Sequence, residues 1–308
     1  MKYSFERLNK GSLKHLVYLY ERVFKIKTTT DFLEKKYNTA YTGISYIGYL
    51  AFDTENKPAG YYGVFPMMAE IDGAKILCAQ SGDTMTHPNH QGNGLFITLA
   101  KLTFELAAKE GVKFVFGFPN NNSYPGFVKK LNWTFNEKIN KIDIKVTTIP
   151  LAKVAKKLSF TNPLYRFYCN LFISKKKINE SNFKNFKKDK NSILFSKEYL
   201  NYKSYFNHYY MSGDGWQIVF KIDGLLWIGL LDCNDNDKIE LIINKLKKLC
   251  MLLGIDKIMY LGSPNNFVLK QISSIQKPIE HYNIGFIKFD DDVQAEKMCY
   301  SSFDIDTF

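Results

Sequence analysis

The sequence predicts an α+β protein made of two halves with a similar order of helices and strands. At about 150 residues per domain, the chain of 308 residues suits one large domain or two ordinary ones. With 45% hydrophobic and 16% aromatic residues, it has enough apolar surface to bury a sizeable core. Extended segments with turn signals alternate with amphipathic stretches, which is typical of a folded α+β chain and excludes general disorder.

The first 150 residues alternate extended segments with helical patterns. Turn signals at 53–56 and 71–74 separate three of the extended segments. Apolar residues between 95 and 106 fall on one helical stripe, and Gly111 follows as a stop signal. The predicted elements are a helix over 13–24, strands over 44–52, 60–68 and 75–86, a helix over 95–109, a strand over 112–118, a helix over 124–131 and a strand over 139–148.

A basic segment follows and leads into a second set of elements. Three lysines at 175–177 and a cluster of four between 184 and 190 predict an exposed connector over 151–190. It separates a first domain over 1–150 from a second over 191–308. The predicted elements of the second domain are a hairpin over 216–233, a helix over 237–253, a strand over 257–262, a short helix over 267–274 and a strand over 284–289.

A short sequence echo links the two halves. Gly-Phe-Pro-Asn-Asn at 117–121 ends the first buried strand, and Gly-Ser-Pro-Asn-Asn at 262–266 ends the second. Each precedes a short helix. Together with the matching order of elements, the echo predicts a degenerate structural duplication.

Composition excludes several classes of protein. No apolar run approaches the roughly 20 residues that cross a bilayer, and no signal peptide is visible at the start. Five scattered cysteines and five scattered histidines predict reduced thiols and no metal site. We therefore expect a cytoplasmic protein without a membrane partner. The net charge of +12 suits a polyanion or a smaller anion such as a nucleotide or coenzyme.

The most informative stretch is the turn that opens the long helix. A strand over 79–86 runs into His-Pro-Asn-His-Gln-Gly-Asn-Gly at 87–94 and then into the helix. Such a turn exposes backbone N–H groups that point one way, and the helix dipole favours an anion there. Gly92 and Gly94 let a ligand approach the backbone closely. No Gly-Lys-Ser/Thr follows, and the dinucleotide-binding glycine spacing is absent, so neither of those phosphate motifs applies.

Residues 91–95, Gln-Gly-Asn-Gly-Leu, resemble the coenzyme A pyrophosphate loop of GNAT acyltransferases, Gln/Arg-x-x-Gly-x-Gly/Ala. Gln91 and Gly94 match the pattern, whereas Phe96 replaces the final small residue. The order of elements over about 3–146 resembles that family too. The resemblance implies a GNAT fold, acyl-CoA as co-substrate, and a degenerate second GNAT-like α/β domain that has no coenzyme loop and shapes the acceptor site. The coenzyme-binding residues it implies are Thr84, Met85, Thr86, Gln91, Gly92, Asn93, Gly94, Leu95, Phe96, Asn120 and Asn121.

The family's reaction defines the catalytic roles to be filled. An amine attacks a thioester, so a proton must leave the amine and a donor must stabilise the oxyanion. The Met85 N–H is the candidate donor and Asp83 the candidate base, with a hydrogen bond to a turn as the other role for Asp83. His87 and His90 are rival bases. Tyr124 is the candidate acid for the leaving thiolate.

Two further positions carry open alternatives. The asparagines at 120–122 either bond the pantetheine amides or cap the turn before the short helix. The terminal carboxylate of Phe308 either belongs to an ordinary docked or disordered tail or acts as a base, as in some relatives that acetylate aminoglycosides.

Residues 114–133 resemble bacterial GNAT proteins that acylate amino sugars in surface-polysaccharide pathways. The resemblance implies an N-acyltransferase that acts on a nucleotide-linked amino sugar, such as a dTDP-amino-dideoxyhexose, and binds no nucleic acid. Three alternatives remain open: an aminoglycoside or peptide amine N-acetyltransferase, a non-catalytic CoA-binding regulator, and a basic RNA-binding module.

Overall fold

A computed structural model describes residues 2–121, 123–173, 186, 189–233, 235 and 237–308. These residues form two compact units. The first comprises Met1–Glu137, Lys190–Tyr205 and Tyr282–Met298, and the second comprises Lys138–Asp189, Phe206–His281 and Cys299–Phe308. Asn122 and the lysines at 175–177, 184, 187 and 188, which entered the sequence predictions, lie outside the described residues.

The described chain contains helices and strands in the predicted alternation. The helices are α1 (Leu13–Leu19), α2 (Thr30–Tyr37), α3 (Leu95–Lys109), α4 (Tyr124–Lys130), α5 (Leu151–Lys157), α6 (Asn162–Ile173), α7 (Lys197–Tyr202), α8 (Lys238–Leu253) and α9 (Phe267–Ser273). The strands are β1 (Ser4–Arg7), β2 (Ile47–Phe52), β3 (Pro58–Ile71), β4 (Ala74–Thr86), β5 (Phe114–Gly117), β6 (Thr134–Lys145), β7 (Ser192–Ile193), β8 (Tyr209–Gly213), β9 (Trp216–Ile222), β10 (Leu226–Cys233), β11 (Lys257–Gly262) and β12 (Ile279–Lys288).

The sheet of the first unit runs in the order β1-β2-β3-β4-β5, and the end of β12 pairs with β5. Neighbouring strands are antiparallel except β4 and β5, which are parallel. The β3–β4 hairpin turns at Asp72 and Gly73, both with positive φ. Helix α3 buries Leu95, Leu99 and Ala100 in the apolar core of this unit.

The second unit repeats this order with its own strands. Strand β10 pairs antiparallel with β9 and parallel with β11, and the long helix α8 connects β10 to β11. In the first unit, β4, α3 and β5 follow the same path. Strand β6 pairs with the free side of β11. The shared path confirms the predicted fold class, an α+β protein with a second unit of related topology.

The compact units are not consecutive along the chain, whereas the prediction divided the chain into consecutive segments. Residues 190–205 belong to the first unit, where β7 pairs with β3 and the Tyr202 hydroxyl donates to the Lys36 carbonyl over 2.8 Å. Residues 282–298 join the same unit through β5. The roles given to the connector and the second domain stay predictions.

The predicted elements differ from the structure in several details. The strands predicted over 139–148 and 284–289 are β6 and β12, which begin five residues earlier. The predicted helix over 13–24 is α1 followed by a π-helical turn at Tyr20–Phe24. Helix α2 had no prediction because its two turns hold few apolar residues. Within the described residues, no helix is both long and apolar enough to span a bilayer.

Candidate active site

The glycine loop forms a short turn at the start of α3. Gly92 and Gly94 have φ of +77° and +73°, a region that L side chains rarely adopt, and a Cβ at either position would meet open space. The Gly94 carbonyl accepts hydrogen bonds from the N–H groups of Ile97 and Thr98, both over 3.1 Å, so hydrogen bonding within the helix begins at Gly94. The loop requires glycine for its conformation, and it leaves room beside the backbone for a ligand.

Five consecutive backbone N–H groups are available in this loop. Across the described part of the chain, the N–H groups of residues 92–96 have no intrachain hydrogen-bond partner. The Asn93 side chain folds back onto the carbonyls of His90 and Gln91 at 3.0 and 3.2 Å, which fixes the turn. Lys2 donates to the Asn93 amide oxygen over 2.7 Å and adds positive charge beside the loop. Backbone N–H groups without partners, a helix N-terminus and a nearby lysine are the features that favour the binding of a pyrophosphate.

Phe96 departs from the GNAT loop pattern, and the structure explains how it fits. Its ring lies over Gly126 of α4, where a Cβ would come within 2.8 Å of Phe96 Cε1. It also contacts the rings of Tyr62 and Phe127, with centroids at 5.8 and 5.3 Å. The large side chain therefore packs between α3 and α4, and its N–H stays in the loop.

Replacing Phe96 with alanine should destabilise the protein without disturbing coenzyme binding. Losing a half-buried ring over Gly126 is expected to lower the free energy of unfolding by about 1–3 kcal/mol. The KM for acyl-CoA should change by less than about threefold, because the backbone donors remain. Chemical denaturation and steady-state kinetics check both parts, and unchanged stability would contradict the packing role.

Strands β4 and β5 separate just before the loop. They pair in parallel only from Cys78 to Gln80, which face Phe114 to Phe116. Beyond Gln80, residues 81, 82, 85 and 86 keep their partners on β3, and none of residues 81–86 pairs with β5. The gap between the two strands exposes one edge of β4 next to the glycine loop, so an extended ligand arm can bind to this edge by backbone hydrogen bonds.

A β-bulge at Asp83 and Thr84 accompanies this separation. Gly63 pairs with Gly82 and Tyr61 with Met85, so Tyr62 alone opposes the two bulged residues. Asp83 has φ of +52°, a left-handed conformation that costs a non-glycine residue about 1–2 kcal/mol. Its surroundings must hold it there.

The bulge decides which backbone groups face the gap. The His87 N–H donates to the Ala59 carbonyl on β3 over 2.9 Å. Because N–H directions alternate along an antiparallel strand, the Met85 N–H points to β3 as well. The N–H groups of Thr84 and Thr86 then point to the open side. The sequence hypothesis had placed the oxyanion donor at Met85, whose side chain is fully buried.

Asp83 lies at the centre of a buried polar cluster. Lys36 Nζ of α2 is 2.7 Å from Asp83 Oδ2, and the two side chains are 4% and 9% exposed. Tyr37 donates to the same oxygen over 2.8 Å, and Tyr20 donates to it as well. Within the described residues, Oδ1 has no hydrogen-bond partner. We call Lys36, Asp83, Tyr20 and Tyr37 the Asp83 cluster.

Burial and the nearby carboxylate keep the tyrosines of this region protonated. Burial, followed by the charge of Asp83, raises the pKa of Tyr37 well above its usual range. The same two causes raise the pKa of Tyr61, whose hydroxyl lies over Gly48 and Gly63. Tyr37 therefore donates to Asp83 as a neutral hydroxyl at any physiological pH. Sequence patterns missed Lys36 and Tyr37 because α2 is too short to predict. They also missed the role of Tyr20, which lies in the π-helical turn after α1.

The two histidines before the loop have local partners. His87 Nδ1 accepts the Asn89 N–H at 3.3 Å, and its Nε2 lies 3.3 Å from the Tyr18 hydroxyl. Burial lowers the pKa of His87, so the ring is neutral near pH 7 with both nitrogens engaged. His90 Nε2 lies 3.6 Å from Asp53 Oδ2, and its Nδ1 lies 3.2 Å from the Tyr3 hydroxyl. Both rings therefore brace the start of the loop.

The remaining predicted residues lie around α4. Tyr124 is its first residue, half-buried, with its ring 4.7 Å from that of Phe135. Asn120 accepts the Ser123 N–H over 3.1 Å and so caps the turn, which is the second of its two predicted roles. Asn121 is exposed on the same turn.

Phe308 is fixed within the second unit. Its buried ring stacks on His208 at 5.1 Å and meets Trp227 edge-on at 5.4 Å. It also fills the space over Gly229, where a Cβ would lie 2.3 Å from Phe308 Cζ. The last residue is therefore docked in its own unit.

The sequence between β10 and α8 of the second unit contains no glycine that could match Gly92 or Gly94. Between β10 and α8 the chain reads Asn-Asp-Asn-Asp at 234–237. The Asp235 side chain accepts the Asp237 N–H over 3.0 Å, and two carboxylates repel a phosphate. Among the described residues, no group of His, Cys, Asp and Glu is arranged to hold a metal ion.

A family model described as an acetyltransferase (GNAT) domain matches residues 4–135. This stretch of the chain is therefore similar to a GNAT acetyltransferase domain. Its span holds β1 to β5, the glycine loop and the Asp83 cluster. The match supports a CoA-dependent N-acyltransferase that uses acyl-CoA as co-substrate, as the resemblance of the loop implied.

Solved structures share the fold over nearly the whole chain. A GCN5-related N-acetyltransferase from Kribbella flavida is similar with a TM-score of 0.59 and 9% identity, covering 94% of this chain and 71% of that one. A probable N-acyltransferase from Enterococcus faecalis V583 has a TM-score of 0.59 and 12% identity, with 94% and 73% covered. Saccharomyces cerevisiae N-myristoyltransferase with bound myristoyl-CoA and inhibitors has a TM-score of 0.63 and 11% identity, with 93% and 80% covered. No curated protein matches the chain in sequence.

Proposed function

We propose that the protein transfers an acyl group from acyl-CoA to a primary amine by direct attack, without an acyl-enzyme. The observation that carries the proposal is the run of five available N–H groups at residues 92–96, placed where the open edge of β4 ends. A pyrophosphate on the loop leaves the pantetheine arm free to run along the edge of β4.

The bulge of β4 supports a choice of oxyanion donor within this proposal. The thioester carbonyl needs an N–H on the open side of β4, and the alternation of the ladder gives that side to Thr84 and Thr86. Thr84 is next to Asp83, so we assign it the oxyanion and assign Thr86 to the pantetheine amides. Donors fixed in advance at the developing charge lower the barrier to attack.

Asp83 is the proposed acceptor of the amine proton. Its Oδ2 is occupied by Lys36 and two tyrosine hydroxyls, whereas Oδ1 has no partner in the described residues. The free oxygen can hydrogen-bond the amine, directly or through one water, next to the thioester carbonyl. Tyr124 is the proposed donor to the leaving thiolate, a minor role because the low pKa of a thiol makes an acid less necessary than for an alkoxide.

For the acceptor we propose a nucleotide-linked amino sugar. The support is the resemblance of residues 114–133 to amino-sugar acyltransferases of surface-polysaccharide pathways.

A panel of amines tests the proposed reaction. The full chain with acetyl-CoA is expected to release thiol, with one acylated amine per thiol by mass spectrometry, when a nucleotide-linked amino sugar is present. The panel includes an aminoglycoside and a peptide amine at equal concentration. Thiol release that is highest with a peptide amine would overturn the sugar assignment. CoA binding without thiol release for any amine would favour a non-catalytic regulator.

A further inference from the structure

Two short helices of the second unit expose an unusual amount of apolar surface. In and just before α6, Phe160, Leu164, Phe167 and Leu171 are 79%, 74%, 64% and 64% exposed. Their spacing of four, three and four residues places them on one stripe of the helix. Large exposed apolar patches on a folded unit mark an interaction surface.

The opposite face of α6 is anchored in the core, so the stripe is a stable feature of the fold. Cys169 and Ile173 are buried there. Tyr165 and Tyr168 donate to the carbonyls of Leu253 and Leu252, at 3.0 and 2.5 Å. The helix is thus held by one face and presents the other to its surroundings.

Helix α5 adds a second stripe beside the first. Ala152 and Ala155 are buried, while Leu151, Val154 and Leu158 are each more than two fifths exposed. The two helices contact each other. We call the exposed apolar residues of α5 and α6 the α5–α6 face.

Basic residues lie on the helices of this face. Lys153, Lys156, Lys157 and Arg166 are exposed there, and of these Lys153 and Lys156 pair with Asp256 and Asp223 at 2.5 and 2.9 Å. In the sequence, residues 149–190 hold eleven basic and two acidic residues, a net charge of +9 out of +12 for the whole chain. Nearly all the excess charge of the protein therefore belongs to the segment that contains its most exposed apolar residues.

We propose that the α5–α6 face binds the surface of an anionic lipid membrane, with the apolar stripes among the acyl chains and the basic residues among the headgroups. Basic helices with one apolar face lie in the plane of the interface in this way. The proposal replaces the sequence expectation of no membrane partner, because a search for spans of about 20 residues does not detect interfacial helices.

Charge and side-chain type favour lipid over other occupants. A symmetric dimer would place this basic segment against its own copy, where like charges repel. Leu164 and Leu171 offer no stacking surface to nucleic acid bases, whereas a lipid interface accepts Leu and Phe alike.

Vesicle sedimentation with the full chain tests the proposal. Partitioning onto phosphatidylcholine vesicles with about 30% phosphatidylglycerol should exceed that onto pure phosphatidylcholine at least tenfold and fall as salt is added. The double variant Phe160→Ser/Phe167→Ser should partition onto the anionic vesicles at least about tenfold more weakly than the wild type. Ile279→Ser, at a residue of the same unit that is 55% exposed on β12, is the matched control and should bind as the wild type does.

Charge variants and a fluorescent probe complete the design. Lys157→Gln and Arg166→Gln should each weaken partitioning about fivefold, since a basic residue near the surface contributes about 1 kcal/mol. Lys75→Gln and Lys109→Gln, exposed in the first unit, should leave it unchanged. A dye on Phe167→Cys should shift to the blue on anionic vesicles. All five native cysteines are buried, so labelling at this position is selective.

Three results would overturn the proposal. They are equal binding to neutral and anionic vesicles, no loss in the Phe160→Ser/Phe167→Ser variant, and a dimer in light scattering that this variant dissociates. Thiol release with a soluble amine is measured on the same samples and should be unchanged. The membrane proposal can therefore fail while the acyltransferase assignment stands.

Discussion

Asp83→Asn is expected to lower kcat for acyl transfer by about 10²–10⁴-fold, the range that loss of a positioned general base produces. The amide keeps the size of the side chain and an oxygen for the tyrosines, but it accepts no proton at the position of Oδ1. It also leaves Lys36 without its carboxylate partner at 2.7 Å. The KM for acyl-CoA should change little, because the loop at residues 92–96 is intact.

The pH dependence of Asp83→Asn distinguishes a base from a structural residue. With the carboxylate present, kcat should reach a plateau as the pH rises, because Asp83 accepts the amine proton. In the variant, kcat should keep rising with pH, because hydroxide must then remove that proton. A uniform loss at every pH, together with a lower unfolding midpoint, would contradict the role of base.

The exposed pair of Arg7 and Glu110 supplies a matched control. Its N–O distance is also 2.7 Å, but the two side chains are 44% and 29% exposed. Glu110→Gln should change kcat by less than about twofold and the free energy of unfolding by less than about 1 kcal/mol, because exposed ion pairs contribute little. Lys36→Arg, which keeps the charge, should retain more activity than Lys36→Met, which leaves Asp83 as an unpaired buried charge.

Gly94→Trp is expected to raise the dissociation constant for CoA by at least about tenfold, since the new side chain occupies the space beside the loop and strains a residue at φ +73°. Isothermal titration with CoA measures the change. Because Asp83 and Thr84 are untouched, kcat at saturating acyl-CoA should fall much less than the affinity does.

The control for this variant lies at the other end of the same helix. Gly111 has φ of +90° and open space around its Cβ position, as Gly94 does. Gly111→Trp therefore carries the same conformational strain without standing in the loop. Equal CoA affinity in the two variants would mean that the loop assignment is wrong.

The parts of the fold that sequence patterns predicted are those governed by local rules. Helix α3 follows from the spacing of its leucines, and the loop before it follows from Gly92 and Gly94, which meet a conformational requirement. The fold class followed from these elements and their order, whereas the acyl-CoA co-substrate followed from the resemblance of residues 91–95 to the GNAT coenzyme loop. Both are confirmed.

The Asp83 cluster was beyond prediction because it depends on tertiary contacts. Lys36 lies in the polar stretch Thr-Asp-Phe-Leu-Glu-Lys-Lys-Tyr, where a lysine is expected to face solvent. Its burial against Asp83 arises only when α2 packs on the β3–β4 hairpin. The left-handed Asp83 within a strand had only Gly82 as a hint of a bulge.

Which residues belong to each of the two units could not be predicted from the sequence either, because this also depends on tertiary contacts. Residues 192–193 pair with β3, and residues 285–288 pair with β5, across more than a hundred residues of chain. Such long-range pairings leave no periodic signal in either partner, so the sequence suggested consecutive domains.

We propose that acyl-CoA binds with its pyrophosphate on the loop at 92–96 and its thioester at the bulge of β4. A crystal structure of the full chain with a non-reactive acyl-CoA analogue tests it most directly. We expect pyrophosphate oxygens within hydrogen-bond distance of the N–H groups of Gly92 to Phe96, and the acyl carbonyl oxygen facing the Thr84 N–H next to Asp83. An analogue bound elsewhere, or bound with its carbonyl turned away from β4, would contradict the account.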